Sequence, residues 1–253
     1  MFHLLLIHGA WQGAWAWEKL IPELEKLQFR CTPVDMPGNG HSQDRTPLKE
    51  VSLDLYMRFL AKELERIEGD IIVIGHSSGG IIASQLAENH PDRIRAIIYI
   101  AGMMLPSGME YAEIVSELQP DHPEIAGIIP YLQWSDDGEV STIIDGAAQK
   151  ILLQDCPQDI ADSAAAKLKR HPQRGRAIKA TLTDEGFGQV PRAYIEAKLD
   201  KSIVPVAQKR MQELVPGAVR FSLDSGHTPQ LSQPKELASI IREAVNSLLD
   251  CST

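Results

Sequence analysis

The run Ile71-Ile72-Val73-Ile74, followed at once by Gly75-His76-Ser77-Ser78-Gly79, constrains the fold more than any other stretch. Consecutive β-branched apolar residues leave no polar face. The strand they form must therefore be covered on both sides, as in a parallel sheet sandwiched between helices. The Gly-x-Ser-x-Gly that ends the run has to turn sharply, because a helical pattern already begins at residues 81–86. Alone, the pattern arises by chance in roughly one chain of this length in ten. Its place between a buried strand and a helix is what makes it informative: flanking glycines relieve the clashes of a strained turn that lifts a serine hydroxyl clear of the sheet.

The surrounding sequence repeats this rhythm. Residues 3–7, 29–34 and 94–101 read as strands, and residues 15–27, 51–67 and 77–89 as helices. The turn-rich run Asp35-Met36-Pro37-Gly38-Asn39-Gly40 follows the second strand. From about residue 105 to residue 185 strand-like runs thin out, prolines recur, and short helical patterns such as 159–169 appear. Strand–helix order resumes with strands at 192–197 and 218–223 and helices at 204–214 and 235–249. The expected architecture is α/β: a mostly parallel, doubly wound sheet flanked by helices. It forms one domain, with a core of residues 1–104 and 186–253 and a helical cap inserted at about 105–185.

Composition narrows the function classes. Lys plus Arg number 25 against 34 Asp plus Glu, a formal charge of −9, with no basic run. Such a chain gains nothing from counterion release on nucleic acid and is not drawn to anionic membranes. Cys31, Cys156 and Cys251 are far apart, with neither disulfide nor zinc-ligand spacing, which fits reduced thiols in a cytoplasmic protein. The apolar start Phe2-His3-Leu4-Leu5-Leu6-Ile7 lacks a preceding basic segment and reads as a buried strand, not a signal peptide. No metal, nucleotide or other cofactor is implied. Assembly as a homodimer is compatible with all of this.

A serine hydroxyl needs a base, and the base needs an orienting acid; on this architecture the chain order is serine, acid, histidine. After Ser77 come His90, His122, His171 and His227. His90 lies beside Pro91 at a helix end, and His122 and His171 sit next to prolines in the insertion, where surface positions are expected. His227, in Asp224-Ser225-Gly226-His227-Thr228, occupies a loop between the last strand and the last helix, where a base could reach Ser77. Asp200 follows the strand at 192–197 and is the preferred acid; Asp224 is a rival that would have to fold back. An oxyanion hole needs two backbone donors. The Ser78 N–H and, from His8-Gly9-Ala10-Trp11 after the first strand, the Ala10 N–H are the candidates. Gly9 keeps space open for the substrate carbonyl, and Trp11 is a candidate to line the site.

These residues carry a resemblance. Leu6-Ile7-His8-Gly9-Ala10-Trp11-Gln12-Gly13-Ala14-Trp15-Ala16-Trp17, residues 74–80, Asp155-Cys156-Pro157-Gln158-Asp159, Thr183-Asp184-Glu185-Gly186-Phe187-Gly188, Asp200-Lys201 and Gly226-His227 look like an α/β-hydrolase. The group is that of the plant methyl esterases and hydroxynitrile lyases, with bacterial carboxylesterase relatives. The resemblance spans nearly the whole chain, most weakly in the insertion. It implies Ser77 as nucleophile, Asp200 and His227 as relay, and Ala10 and Ser78 as oxyanion donors. The group's lyases carry Thr at the position of Gly9 and Lys directly after the histidine; here Gly9 and Thr228 stand there, which favours an esterase.

The expectation is a cofactor-independent serine carboxylesterase acting on a small, largely apolar ester through an acyl-enzyme. The cap would supply an apolar pocket, with Met103, Met104, Leu118, Tyr131 and Trp134 as candidates. The alternatives are a hydroxynitrile lyase and a ligand-binding receptor on the same fold.

Overall fold

The computed structural model describes residues 2–39 and 46–249, so Gly40 of the turn-rich run and Cys251 lie outside the described residues. The chain begins with β1 (His3–Ile7), α1 (Ile21–Lys26), β2 (Arg30–Val34), α2 (Leu53–Arg66), β3 (Ile71–His76), α3 (Gly79–Asn89) and β4 (Ile94–Ile100). Next come α4 (Tyr111–Leu118), β5 (Leu132–Trp134), β6 (Val140–Ile143), α5 (Ala147–Ile151), α6 (Gln158–Lys167) and β7 (His171–Pro172). It ends with β8 (Arg192–Ala197), α7 (Pro205–Leu214), β9 (Val219–Leu223), α8 (Pro229–Ser232) and α9 (Pro234–Leu249). The main sheet has six strands in the order β2-β1-β3-β4-β8-β9, and every neighbouring pair is parallel.

Strand side chains alternate between two cores. Leu5, Ile7, Ile71, Val73, Ile97 and Tyr99 pack with Leu60 and Leu64 of α2, Ile82 and Leu86 of α3, and Ala207 and Met211 of α7. Leu4, Leu6, Ile72, Ile74, Ile98 and Ile100 pack on the other face with Trp17, Leu24 of α1, and Leu237, Ile241 and Val245 of α9. Burial on both faces is what the unbroken β-branched runs require.

Three departures from the sequence expectation concern the elements and their packing. The helix expected over residues 15–27 is a 3₁₀ turn (Ala14–Trp17) followed by α1, because Pro22 fits only the first turn of a helix. The insertion carries helices α4, α5 and α6, but also a three-stranded antiparallel sheet, β5-β6-β7, so it is not purely helical. Finally, His171, expected at the surface, is buried against Trp11, with ring centroids 6.0 Å apart.

Candidate active site

Because the main sheet is parallel, its strands end on one edge, where ligands of open α/β sheets bind. The loop His8–Trp11 leaves β1, Ser77 follows β3, Asp200 follows β8 and His227 follows β9.

Ser77 has φ +53°, in the left-handed region that costs a non-glycine residue roughly 1–2 kcal/mol. Three backbone bonds hold it there. Its N–H donates to Ile100 O at 3.3 Å, and its carbonyl accepts from Met103 N at 2.8 Å and Gly80 N at 3.0 Å. The close turn leaves no room for side chains: a Cβ on Gly75 would lie 2.8 Å from Gly79 O and Gly80 Cα. Ser77 is 8% exposed. Its Oγ has no hydrogen-bond partner among the described residues and stands in the wall of a cavity.

His227 and Asp200 form a buried pair, with Nδ1 and Oδ2 2.7 Å apart. The other oxygen, Asp200 Oδ1, accepts Ser202 N at 2.6 Å and Ile203 N at 3.0 Å. The acid is thus fixed at both oxygens. Asp224, the rival, ion-pairs with exposed Lys198 at 2.6 Å and is itself 76% exposed. His76 ties the histidine loop to the serine turn. Its ring lies 4.7 Å from that of His227, and its Nε2 meets the His227 carbonyl at 2.8 Å. Burial holds the pKa of His76 well below the ordinary range, so the ring is neutral. Nε2–H then donates to the carbonyl, and Nδ1 lies 3.1 Å from Gln12 Oε1.

The loop after β1 is fastened by His8. Its Nε2 accepts Met36 N–H at 3.2 Å, leaving Nδ1–H to donate to Gly9 O at 2.7 Å. A Cβ on Gly9 would lie 2.8 Å from Ser77 Cβ, so the bare backbone is required beside the serine. Ala10 and Ser78 line the same cavity as Ser77, and neither N–H donates to a described residue. Trp11 also lines it; it has φ +62° and its Nε1 donates to Ser141 Oγ at 3.2 Å.

The cavity encloses about 110 Å³. Met103, Tyr111, Ile128, Ile129 and Ile203 supply apolar lining, and Glu110, Gln173 and Arg176 supply polar groups. Trp134 does not line it: it is 41% exposed and borders an outer groove with Pro47 and Lys49. Tyr131 is equally exposed, Met104 is buried in the core, and Leu118 packs against that core from outside. Sequence reading missed Arg176, which sits in a polar stretch that resembles a solvated face, and Asp155 as a clasp. Asp155 Oδ2 accepts Gly226 N at 2.7 Å and Ser232 Oγ at 2.8 Å. The run from Thr183 to Gly188 has a structural role. Glu88 of α3 accepts the N–H groups of Thr183 and Phe187 at 2.9 and 2.8 Å.

A model of the alpha/beta hydrolase family matches residues 4–240. The chain belongs to that family. This α/β-hydrolase is similar to the pyrethroid hydrolase of Sphingobium wenxiniae, with 28% identity over 253 residues covering 95% of this chain and 86% of the relative. It is 26% identical to methylesterase 1 of Arabidopsis thaliana over 248 residues, 93% of each chain. Among solved structures, a pyrethroid hydrolase from Sphingobium faniae JZ-2 matches with a TM-score of 0.84 and 26% identity, covering 96% of this chain and 97% of that one. The α/β-hydrolase therefore resembles the esterase-type members of the family.

Proposed function

We propose that the protein is a serine carboxylesterase acting on compact esters, with Ser77, His227 and Asp200 as its triad. The observation that carries this reading is the buried 2.7 Å His227–Asp200 pair, bound through His76 to the strained turn that presents Ser77. In the reaction, His227 Nε2 takes the Ser77 proton as Oγ bonds to the ester carbonyl carbon. The Ala10 and Ser78 N–H groups stabilise the oxyanion. The tetrahedral intermediate collapses as His227 passes the proton to the departing alkoxide. Water, deprotonated by His227, then attacks the acyl carbon and releases the acid with Ser77 restored. Proton transfer requires the Ser77–His227 hydrogen bond, which substrate binding would close.

Thr228 supports hydrolysis over cyanohydrin cleavage. Its fully buried hydroxyl donates to Leu152 O at 2.7 Å, so no cation stands next to the base at that position. The insertion acts in this reading as a cap over the cavity. The space of about 110 Å³ is smaller than the ~150 Å³ cavity that admits benzene, which favours a short group on the ester.

Steady-state hydrolysis of esters graded in acyl and alcohol size tests the proposal. The wild type should turn over the short members with saturation, and Ser77→Ala should lose that turnover. Cyanide release from mandelonitrile with no ester turned over would favour the lyase instead.

A further inference from the structure

Arg176 is a partly buried guanidinium in the wall of the cavity that Ser77 lines. Its Cζ lies 5.4 Å from the Trp11 ring centroid and 5.5 Å from that of Trp134, so the cation sits over two aromatic rings. One of its five N–H donors reaches Gln173 Oε1 at 3.3 Å, and among the described residues no carboxylate pairs with it. Neighbouring cations are taken: Arg174 pairs with Glu139 at 3.6 Å and Lys179 with Glu110 at 3.3 Å. Arg192, which also lies over an aromatic ring, donates from Nη1 and Nη2 to the carbonyls of Phe187, Val190 and Pro216.

A second donor without an acceptor lines the same cavity. The Tyr111 hydroxyl oxygen is buried and has no hydrogen-bond partner among the described residues, and burial next to Asp200 raises its pKa, keeping it protonated. Glu110, the acid in this lining, is already engaged. Its carboxylate accepts the Glu113 backbone N–H in a capping box and pairs with Lys179. Buried His171, beside Arg176, is neutral, its pKa lowered to about 3 by burial and by the guanidinium. The cavity therefore presents an uncompensated cation and a free phenolic donor.

We propose that Arg176 and the Tyr111 hydroxyl bind a free carboxylate on the substrate, so that the preferred ester is a monoester of a short dicarboxylic acid. A planar carboxylate matches the forked donors of a guanidinium, of which only one finds an acceptor among the described residues. The inference rests on the esterase reading and replaces a purely apolar pocket with one that selects charge.

The test compares monomethyl succinate with dimethyl succinate, a pair that shares acyl length and leaving group and differs in one negative charge. Wild-type kcat/KM should favour the monoester at least 10-fold, mainly through KM, and added salt should erode the preference. In Arg176→Gln the ratio of the two values should fall by about 10- to 100-fold, the loss of a charge-assisted contact. Arg176→Lys should restore part of it, and Tyr111→Phe should lower it several-fold. Equal turnover of both esters by the wild type would overturn the proposal. So would an Arg176→Gln variant that slows both esters equally, which marks a structural role. If neither ester is hydrolysed and Ser77 resists a fluorophosphonate, the esterase reading fails. Calorimetric binding of succinate to wild type and Arg176→Gln then decides the carboxylate site by itself: binding lost in the variant supports it, and no binding to the wild type overturns it.

Discussion

Asp155, on the insertion, accepts the backbone N–H of Gly226, the residue before His227, at 2.7 Å. The same oxygen accepts Ser232 Oγ, and two neighbours extend the clasp. Gln154 Nε2 donates to Leu199 O beside Asp200, and Thr228 Oγ1 donates to Leu152 O. One short segment thus grips the loops that carry both His227 and Asp200. Asp155→Ala should lower unfolding stability by about 1–2 kcal/mol, read by denaturant titration. It should also lower kcat more than it raises KM, because the histidine loses its anchor while the cavity lining stays. A loss confined to KM would contradict the clasp.

Gly9 is held beside the serine by contact, not by turn geometry. Its added Cβ would lie 2.8 Å from Ser77 Cβ and 3.2 Å from His76 Nδ1. Gly9→Ala should therefore displace the serine and reduce kcat/KM by roughly 10- to 100-fold, the order expected for a small misplacement of reacting groups. Circular dichroism melting should show a folded variant. Full activity would mean that the loop after β1 yields without consequence.

Asp200→Asn keeps an oxygen for the Ser202 and Ile203 N–H groups while losing the charge opposite His227. Stopped or steady-state assays should find kcat reduced roughly 10³- to 10⁴-fold with the fold retained. A reduction of less than tenfold would return the orienting role to another acid.

The buried neutral histidines make stability depend on acid. His171 keeps a pKa of about 3 in the folded chain against an ordinary 6.5, and His76 is lowered well below 6.5. In the unfolded chain both take up protons below about 6.5. The unfolded state then binds more protons than the folded one, so stability is full above that pH and falls as the pH drops towards 3. His171 contributes on the order of 1 kcal/mol per pH unit in that window, and His76 acts in the same direction. Tm should decline between pH 7 and pH 5, and His171→Asn should flatten the decline. An unchanged slope in the variant would contradict the assignment.

The legible parts of this fold are those set by local chemistry. β1 and β8 occupy the expected spans because runs of apolar and β-branched residues have few alternatives, and the Ser77 turn follows from glycines that nothing larger can replace. Pro22 divides one expected helix, because apolar spacing alone does not register that a proline fits only the first turn. The small antiparallel sheet was hidden because strands of 3, 4 and 2 residues are too short to establish a period. Arg176 and Asp155 were illegible for another reason. Arg176 reaches Trp11 and Trp134 from elsewhere in the chain, and Asp155 meets Gly226 across 71 positions, so their partners are set by packing. Trp134 was misplaced likewise, since aromatic character does not say which side of a cap a residue faces.

In the proposed mechanism Ser77 is an activated nucleophile. Intact-mass measurement after treatment with a fluorophosphonate, followed by peptide mapping, tests it most directly. One adduct per chain is expected, located on Ser77, absent in Ser77→Ala and formed far more slowly in His227→Ala. Folded wild-type protein that stays unmodified, or an adduct on a different residue, would contradict it.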